Sequence, residues 1–204
     1  MIYHLYENDL PDAVKFGKEV AIDTEALGLN NFRDRLCLVQ LCFGNDEVHM
    51  VHFASNADYS SQNLKRLLFD ETILKIFHYA RFDIAILQRT FNLHIDNFYC
   101  TKIASKIART YSDMHGLKTL IREFFNVDIS KKKQNSYWGG DMSEEQLKYA
   151  ANDVLFLHRI KDRLNIILEN ERRKELVEEC FRFLHTRIKL DLLGWEDTDI
   201  FSHQ

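Results

Sequence analysis

The chain changes its sequence periodicity about halfway along its 204 residues. The first half holds short segments that are apolar throughout or alternate between apolar and polar residues, as β-strands do. In chain order these segments read HLYEN, EVAIDT, RLCLVQLCFG, EVHMVHFA and ILKIFH. The third and fourth meet at Gly44-Asn45-Asp46, which predicts an antiparallel hairpin between Arg35 and Phe53.

Helical spacing interrupts these strands once and then takes over. Apolar residues recur every three or four positions in residues 61–69, 82–89, 101–108, 117–125, 143–168 and 172–188. The fifth of these segments opens with Ser143-Glu144-Glu145-Gln146, a capping box typical of a helix start. Strands that come first, include a hairpin and give way to helices predict an α/β fold. We expect a mixed sheet flanked by helices, with additional helices at the C-terminal end.

The composition predicts one soluble domain over residues 1–204, with a core at about 1–170 and a C-terminal helix and tail at about 171–204 that could make oligomer contacts. Hydrophobic residues make up 46% of the chain and charged residues 28%, and Pro11 is the one proline. The start MIYHLYENDL resembles no leader peptide, and no segment reaches the roughly 20 apolar residues that cross a bilayer. We therefore expect a cytoplasmic protein without membrane contact, with its four cysteines reduced.

The charge balance argues against a protein that grips long nucleic acids. The formal net charge is −4 and the isoelectric point is about 6.1, whereas such proteins carry a basic surplus that neutralises phosphates. A short single-stranded substrate, met in a small basic pocket, is compatible with this charge. The sequence predicts no protein partner.

The sharpest local signal is an apolar strand that ends in two acids. Val20-Ala21-Ile22 is followed by Asp23 and Glu25, which would point to the same side of a continuing strand, about 6.6 Å apart along it. Carboxylates so arranged suit a hard cation such as Mg²⁺ or Mn²⁺. The alternative is that Asp23 ends the strand and Glu25 solvates the following turn.

Two further segments carry acids in unusual settings. Asp83 follows the apolar strand ILKIFH and opens a predicted helix, while Tyr149 and Asp153 lie one turn apart within the helix predicted over 143–168. An aspartate in mid-helix has poor helix propensity and needs a reason. Taken alone, Asp83 could be an ordinary first-turn acid and Asp153 a solvated surface residue.

Together these motifs resemble the tyrosine-containing branch of the DEDD exonucleases, the ribonuclease D-like family. The matching segments are DTE at 23–25, HYARFD at 78–83 and YAANDV at 149–154, preceded by SKKKQNSYW at 130–138. The resemblance covers residues 1–170. The resemblance is strongest to the nano-RNase C group, and residues 21–29 and 33–40 carry it. The short members of that group lack the extra helical domains of ribonuclease D.

This resemblance implies a ribonuclease H-like fold and a 3′ to 5′ exoribonuclease. The substrates would be short RNAs, dinucleotides above all, released as nucleoside 5′-monophosphates by a homo-oligomeric, octameric ring. It also implies two divalent metal ions per subunit, Mg²⁺ or Mn²⁺. Asp23 would bridge both ions, Glu25 and Asp153 would complete the site of the water-activating ion, and Asp83 would hold the second. Tyr149 would position the attacking water.

The resemblance and the residues next to the motifs together predict substrate contacts. The candidate residues are Thr24, Gly28, Leu29, His78, Tyr79, Gln134, Ser136 and Trp138. Leu29 would wedge between two bases, and the basic run at 131–133 with Gln134 and Ser136 would cap a 5′ phosphate. The alternatives are a core leucine at Leu29, a structural histidine at His78 and a solvated loop at 131–133.

The tail KLDLLGWEDTDIFSHQ carries more large apolar groups than free tails usually hold. We expect it to pack on the chain's own core or on another subunit. Three other functions stay open on sequence alone. They are an exonuclease that trims longer or structured RNA, a non-catalytic nucleic-acid-binding module, and a metal-dependent phosphatase acting on small molecules.

Overall fold

A computed structural model describes residues 2–129 and 136–203. The strands among these residues are β1 (Ile2–Glu7), β2 (Glu19–Ala26), β3 (Leu36–Cys42), β4 (Glu47–His52), β5 (Leu74–Phe77) and β6 (Phe98–Cys100). The helices are α1 (Gln62–Phe69), α2 (Ala80–Phe91), α3 (Thr101–Ala108), α4 (Leu117–Phe125), α5 (Glu144–Leu155), α6 (Leu157–Asn170) and α7 (Lys174–Leu192). The predicted α/β fold with additional C-terminal helices is confirmed.

The six strands form one mixed sheet in the order β1-β4-β3-β2-β5-β6. β3 pairs antiparallel with both β2 and β4, so the predicted hairpin is present. β5 pairs parallel with β2 and with β6, and β1 pairs parallel with β4. The carboxyl ends of β2, β5 and β6 therefore meet at one edge of the sheet, where open α/β sheets usually bind ligands.

Helices cover both faces of the sheet, which is why its central strands are apolar on both sides. Val20 and Ile22 point to the face covered by α1, α2 and α7, within a core that includes Ile84 and Ile188. Ala21 points to the opposite face, beneath α5 and α6. Because side chains alternate along a strand, Asp23 and Glu25 follow Ala21 onto the face under α5.

The helix predicted over 143–168 is in fact two helices, and that prediction was wrong in this respect. Phe156, with φ of −100° and ψ of −7°, separates α5 from α6. Its ring stacks on Phe125 at 5.8 Å between centroids, and the guanidinium of Arg159 lies 4.2 Å from the Phe125 ring. These tertiary contacts hold Phe156 out of the helical line, and no periodicity in the sequence signals them.

Two other local differences have equally specific causes. β6 was not predicted because its three residues are too few to display an alternating pattern. α7 continues four residues beyond the predicted end at 188, through Asp191, which is buried and accepts hydrogen bonds from Arg81 at 2.6 Å and from Arg187 at 2.9 Å. This pairing carries the helix into the segment predicted to be irregular.

The tail after α7 is held mainly through its backbone, although the Phe201 ring also lies 5.4 Å from the Phe183 ring of α7. Arg187 donates to the carbonyl oxygens of Trp195 and Thr198, and Arg81 donates to that of Glu196. The side chains of Leu193, Trp195 and Phe201 nevertheless stay largely exposed. Within the described residues, no helix combines the length and apolar character that crossing a bilayer requires.

Candidate active site

A cleft of about 610 Å³ lies at the carboxyl ends of β2, β5 and β6, beneath α5 and beside the first turns of α2, α3 and α4. We call it the acidic cleft. Its walls include Asp23, Thr24, Glu25, Gly28, Leu29, His78, Tyr79, Asp83, Ser136, Trp138, Tyr149 and Asp153. The fold thus gathers every candidate site residue that it describes. Gln134 and the basic run at 131–133 lie outside the described residues.

β2 and α5 bring three carboxylates together. Asp23 and Glu25 stand two apart on β2, and α5 crosses above them with Asp153. One oxygen of each carboxylate lies within 4.8 Å of the others, which is a spacing that could hold a metal ion. The predicted capping box at Ser143 and Gln146 is formed, and it fixes the start of the helix that carries Asp153.

The fourth acid, Asp83, enters the cleft from the first turn of α2. Its carboxylate is buried and accepts a 2.7 Å hydrogen bond from the Thr24 hydroxyl. Thr24 lies between Asp23 and Glu25, so this bond ties the first acidic motif to the second. The contact gives Thr24 a positioning role within the chain, besides its place in the wall of the acidic cleft.

Burial and mutual repulsion make all four carboxyls hard to ionise. Burial, followed by repulsion from Asp83, Asp153 and Glu25, raises the pKa of Asp23 well above its usual range. Burial, with repulsion from Asp153 and Asp83, raises the pKa of Glu25 to about 9. Burial also raises the pKa values of Asp83 and Asp153 to about 7. Positive charge in the cleft would relieve this repulsion.

Tyr149 projects from α5 one turn before Asp153. Burial first, and then the charges of Asp153, Glu25 and Asp23, raise the pKa of Tyr149 above its usual value. The phenol therefore keeps its proton at neutral pH and acts as a hydrogen-bond donor. The Trp138 ring lies 6.2 Å from the Tyr149 ring and is buried, so in the described structure Trp138 supports Tyr149 more than it presents a face to a ligand.

The loop after β2 holds Gly28 and Leu29 at the mouth of the cleft. A Cβ atom on Gly28 would lie 2.3 Å from Oδ2 of Asp34, so only glycine permits this close approach. Asp34 in turn accepts hydrogen bonds from the backbone of Asn30 at 3.0 Å and from Arg33 at 2.7 Å. The Leu29 side chain is 86% exposed, so the alternative of a core leucine is wrong.

His78 has a defined tautomer in this fold. The Thr101 hydroxyl donates its one proton to the carbonyl oxygen of Phe77 at 3.0 Å, so it must accept from Nδ1 of His78 at 2.8 Å. Burial, followed by the charge of Lys102, lowers the pKa of His78 to about 3. The ring is therefore neutral, with Nε2 as an acceptor. His78 is held structurally and also lines the cleft.

Sequence reasoning missed the cationic side of the cleft. Lys102 stands in the first turn of α3 with its ammonium 4.3 Å from the Tyr79 ring, and Lys118 stands in the first turn of α4 with its ammonium 5.2 Å from the Tyr149 ring. Tyr79 itself adopts a positive φ of 85°, which is uncommon for an aromatic residue. The available signal was a lysine directly after each predicted helix start.

A buried amide next to Asp23 also escaped prediction. Gln40 pairs with Asp23 across β2 and β3, so both side chains lie on the face beneath α5. Gln40 is fully buried, and the described structure gives neither its Nε2 nor its Oε1 a hydrogen-bond partner; the same holds for Nε1 of Trp138. Unsatisfied buried polar atoms are rare, and here two such side chains lie around the acidic cleft.

Comparison with known proteins identifies this arrangement. A family profile described as 3′–5′ exonuclease matches residues 6–169. Ribonuclease D of Gluconacetobacter diazotrophicus is 34% identical over 160 residues, which cover 78% of this chain and 40% of that protein. Human exosome complex component 10 is 29% identical over 150 residues, covering 73% of this chain and 16% of that protein. The chain thus spans less than half the length of these curated relatives.

The structural similarity extends over the whole chain. Brucella melitensis NrnC is 46% identical, with a TM-score of 0.93, and each chain covers 100% of the other. Structures of that protein with bound Mg²⁺ and bound to pGG match with TM-scores of 0.92 and 0.94. On the profile match and these similarities, the chain belongs to the 3′–5′ exonuclease family and is of the ribonuclease D and NrnC type.

Proposed function

We propose that this chain is a 3′ to 5′ exoribonuclease that hydrolyses short single-stranded RNA, dinucleotides above all, to nucleoside 5′-monophosphates. The observation that carries the proposal is the convergence of Asp23, Glu25 and Asp153, with oxygen atoms within 4.8 Å of one another, beside Asp83 and Tyr149 in one cleft. The phosphatase and the non-catalytic binding module, which sequence left open, account less well for this complete set in a member of this family.

The residues present fit divalent cations. All four donors are carboxylates, the ligands that Mg²⁺ and Mn²⁺ prefer. Burial first, and repulsion at Asp23, Glu25 and Asp83, raise their pKa values, and a bound cation would favour the charged forms. The related NrnC has a structure with bound Mg²⁺. We infer two ions per subunit, with Asp23 shared between them, Glu25 and Asp153 at one and Asp83 at the other.

The reaction is the attack of water on the phosphodiester at the 3′ end. When bound, the cations would acidify the attacking water and stabilise the leaving oxygen of an in-line displacement. Tyr149 keeps its proton, so it orients the water by a hydrogen bond rather than removing a proton from it. Thr24 fixes the orientation of Asp83 through their 2.7 Å hydrogen bond.

The substrate end of the cleft is suited to a short anion. Lys102 and Lys118 bring positive charge to its rim, and α2, α3 and α4 begin on the same side of the cleft, where the positive ends of their helix dipoles lie. The neutral His78 can accept a hydrogen bond from a sugar hydroxyl through Nε2. We assign Leu29 to the wedge between two bases, and Gly28 and Tyr79 to the sugar and base around it.

The size of the cleft and the net charge of the chain support a short substrate. A volume of about 610 Å³ falls in the range of small-molecule sites, and the chain carries a net charge of −4 that disfavours a longer phosphate backbone. NrnC has a structure bound to pGG. The competing function, trimming of longer RNA, is favoured by the similarity to ribonuclease D. Ser136 lines the cleft and, with Gln134, is our candidate cap for a 5′ phosphate.

The first prediction concerns Asp23→Asn. Loss of the shared ligand is expected to lower kcat about 10³-fold, since about 4 kcal/mol of transition-state stabilisation corresponds to three factors of ten. The assay follows 5′-labelled RNAs of two to seven nucleotides with Mn²⁺ or with EDTA. Stepwise loss from the 3′ end with a preference for dimers is the expected result. Activity that survives EDTA contradicts the mechanism, and equal rates at every length support the ribonuclease D-like alternative.

The second prediction concerns stability without metal. A carboxyl whose pKa is raised by folding binds its proton more tightly in the folded chain than in the unfolded chain. The free energy of unfolding therefore falls as pH rises from about 4, the pKa of an unfolded carboxyl, towards the folded pKa values of about 7 and about 9. The EDTA-treated protein should therefore melt at lower temperatures as pH rises through this window, and Mg²⁺ should restore the loss.

A matched pair of variants tests the cause of that pH dependence. Asp23→Asn removes one of the repelling charges and should raise the thermal midpoint of the EDTA-treated protein at pH 8 while weakening the response to Mg²⁺. Asp141→Asn, at an exposed acid outside the cleft, is the control and should change neither. A metal-free protein whose midpoint is constant or rises through this window contradicts the account.

The third prediction concerns Leu29→Ala. Removing an exposed apolar wedge should lower kcat/KM for dinucleotides about tenfold, because losing a few apolar groups from a binding contact costs about 1 to 3 kcal/mol. RNAs of seven nucleotides should lose less, since their further contacts compensate. Leu176→Ala, at an exposed leucine on α7, is the control. Equal losses at every length would contradict a role for Leu29 in the preference for short substrates.

The fourth prediction concerns assembly. We infer a homo-oligomer, an octameric ring in its most specific form, because Leu193, Trp195 and Phe201 stay exposed at 72%, 53% and 75% on a tail whose backbone is fixed. Sedimentation should give a multiple of the 24.2 kDa subunit. Trp195→Ser combined with Phe201→Ser should weaken association, whereas Tyr111→Ser, at an exposed aromatic outside the tail, should not. A mass of one subunit refutes the inference.

A further inference from the structure

His94, Asp96 and His185 form a second group of metal-ligand side chains, apart from the acidic cleft. His94 and Asp96 lie on the loop between α2 and β6, and His185 lies on α7. One ligand atom of each lies within 4.8 Å of the others. Oδ1 of Asp96 is 3.2 Å from Nε2 of His94 and 3.5 Å from Nε2 of His185. Two imidazoles and one carboxylate thus converge on one point between two elements.

The two separations between Asp96 and the histidines match a tetrahedral site. Ligands bonded at about 2.0 to 2.1 Å to a tetrahedral ion lie about 3.3 to 3.4 Å from one another, and the two measured separations bracket that value. We propose that His94, Asp96 and His185 bind a first-row transition cation of the Zn²⁺ type, which joins α7 to the α2–β6 loop. We call this group the His94 site.

The loop that carries two of the ligands is fixed before any ion binds. The backbone N–H of Ile95 donates to Oε1 of Gln88 at 3.0 Å, and the buried ammonium of Lys75 donates to the carbonyl oxygen of Asp96 at 3.1 Å. The amide of Asn97 donates to the carbonyl oxygen of Glu71 at 2.8 Å. A cation would therefore meet a backbone that is already fixed around Asp96, and its binding would mainly order the exposed imidazole of His94.

The third ligand is held by packing. The His185 ring makes an edge contact with Phe98, with centroids 4.9 Å apart, and lies 5.2 Å from the His94 ring. Imidazole nitrogen favours zinc, copper and nickel over magnesium, which prefers oxygen ligands. The donor set therefore differs in kind from the four carboxylates of the acidic cleft. The two sites should select different ions from one mixture.

The surroundings indicate an exchangeable ion rather than a permanent one. Three protein ligands leave a fourth position for water, as in open zinc sites. Nδ1 of His185 is buried and has no hydrogen-bond partner in the described structure, so the second hydrogen bond that usually orients a metal-bound histidine is missing. Lys189 lies one helical turn from His185 and adds repulsion. Occupancy would thus follow the ion's concentration.

The site would act on the docking of α7 and not on the chemistry. His94 follows the C-terminal end of α2, whereas Asp83 lies in the first turn of the same helix, and the helix rises about 12 Å from Asp83 to Phe91. An ion that binds only the folded arrangement stabilises it in proportion to the logarithm of its concentration over Kd. We therefore expect the docking of α7 on the α2–β6 loop to become more stable as the concentration of such ions rises.

The fifth prediction tests this site with Co²⁺ and Zn²⁺ on the untagged full chain, in the presence of saturating Mg²⁺. Co²⁺ absorbs visible light far more strongly at tetrahedral than at octahedral sites, so titration should give a saturable band that Zn²⁺ abolishes. Zn²⁺ at 100 times its Kd should raise the thermal midpoint by about 5 °C or more. His94→Gln and His185→Gln should each raise Kd at least tenfold.

Three further variants separate this site from others. His203→Gln, at an exposed histidine outside the group, should bind Co²⁺ like the unchanged chain, and Asp23→Asn should as well, because the acidic cleft is not involved. Lys189→Gln should tighten binding by removing repulsion. Because His185→Gln could disturb packing on Phe98, the half-exposed His94 provides the safer variant. A band that is absent, or that persists unchanged in His94→Gln, overturns the proposal.

Discussion

The structure depends on keeping four mutually repelling carboxyls in one buried place. Asp23 and Glu25 occupy the central strand β2, α5 covers them with Asp153, and Asp83 closes the group from α2. Burial raises the pKa values of all four, and repulsion adds to this at Asp23, Glu25 and Asp83; the apolar core around β2 must outweigh the resulting electrostatic strain. Such strain persists only where the surrounding fold fixes it, and functional sites are where it is usually found. Buried strands on both sides of β2 provide that support.

Much of the fold and the acidic half of the site could be predicted because both depend on short-range periodicity. Alternation within EVAIDT places Asp23 and Glu25 on one face, and the helical repeat places Tyr149 and Asp153 on one face. These relations hold whatever the tertiary structure. The hairpin of β3 and β4 is equally local, since its turn residues lie next to its strands. The resemblance to a family then supplied what spacing could not, namely that separate faces meet in one cleft.

The parts that were missed depend on contacts between distant residues. Lys102 lies at the cleft because β6, which precedes it, ends at the same edge of the sheet as the strand of Asp23. β6 has three residues, which are too few to show a strand pattern in the sequence. The tautomer of His78 depends on Thr101, and the break at Phe156 depends on Phe125. Trp138 was predicted to contact substrate from its place near the basic run, and its burial against Tyr149 follows from packing. Sequence gives the faces of elements, and packing decides which residues those faces meet.

α2 links the chemistry to the C-terminal helix. Its first turn carries Asp83 into the cleft and Arg81 to Asp191 of α7, while its far end leads into the loop of His94 and Asp96. α7 also places Leu184 and Ile188 in the same core as α2. The family profile ends at residue 169, before α7 begins, yet α7 restrains the helix that presents one of the four acids. The position of Asp83 therefore depends on a segment beyond the shared motifs, so changes in α7 can alter the cleft without touching it.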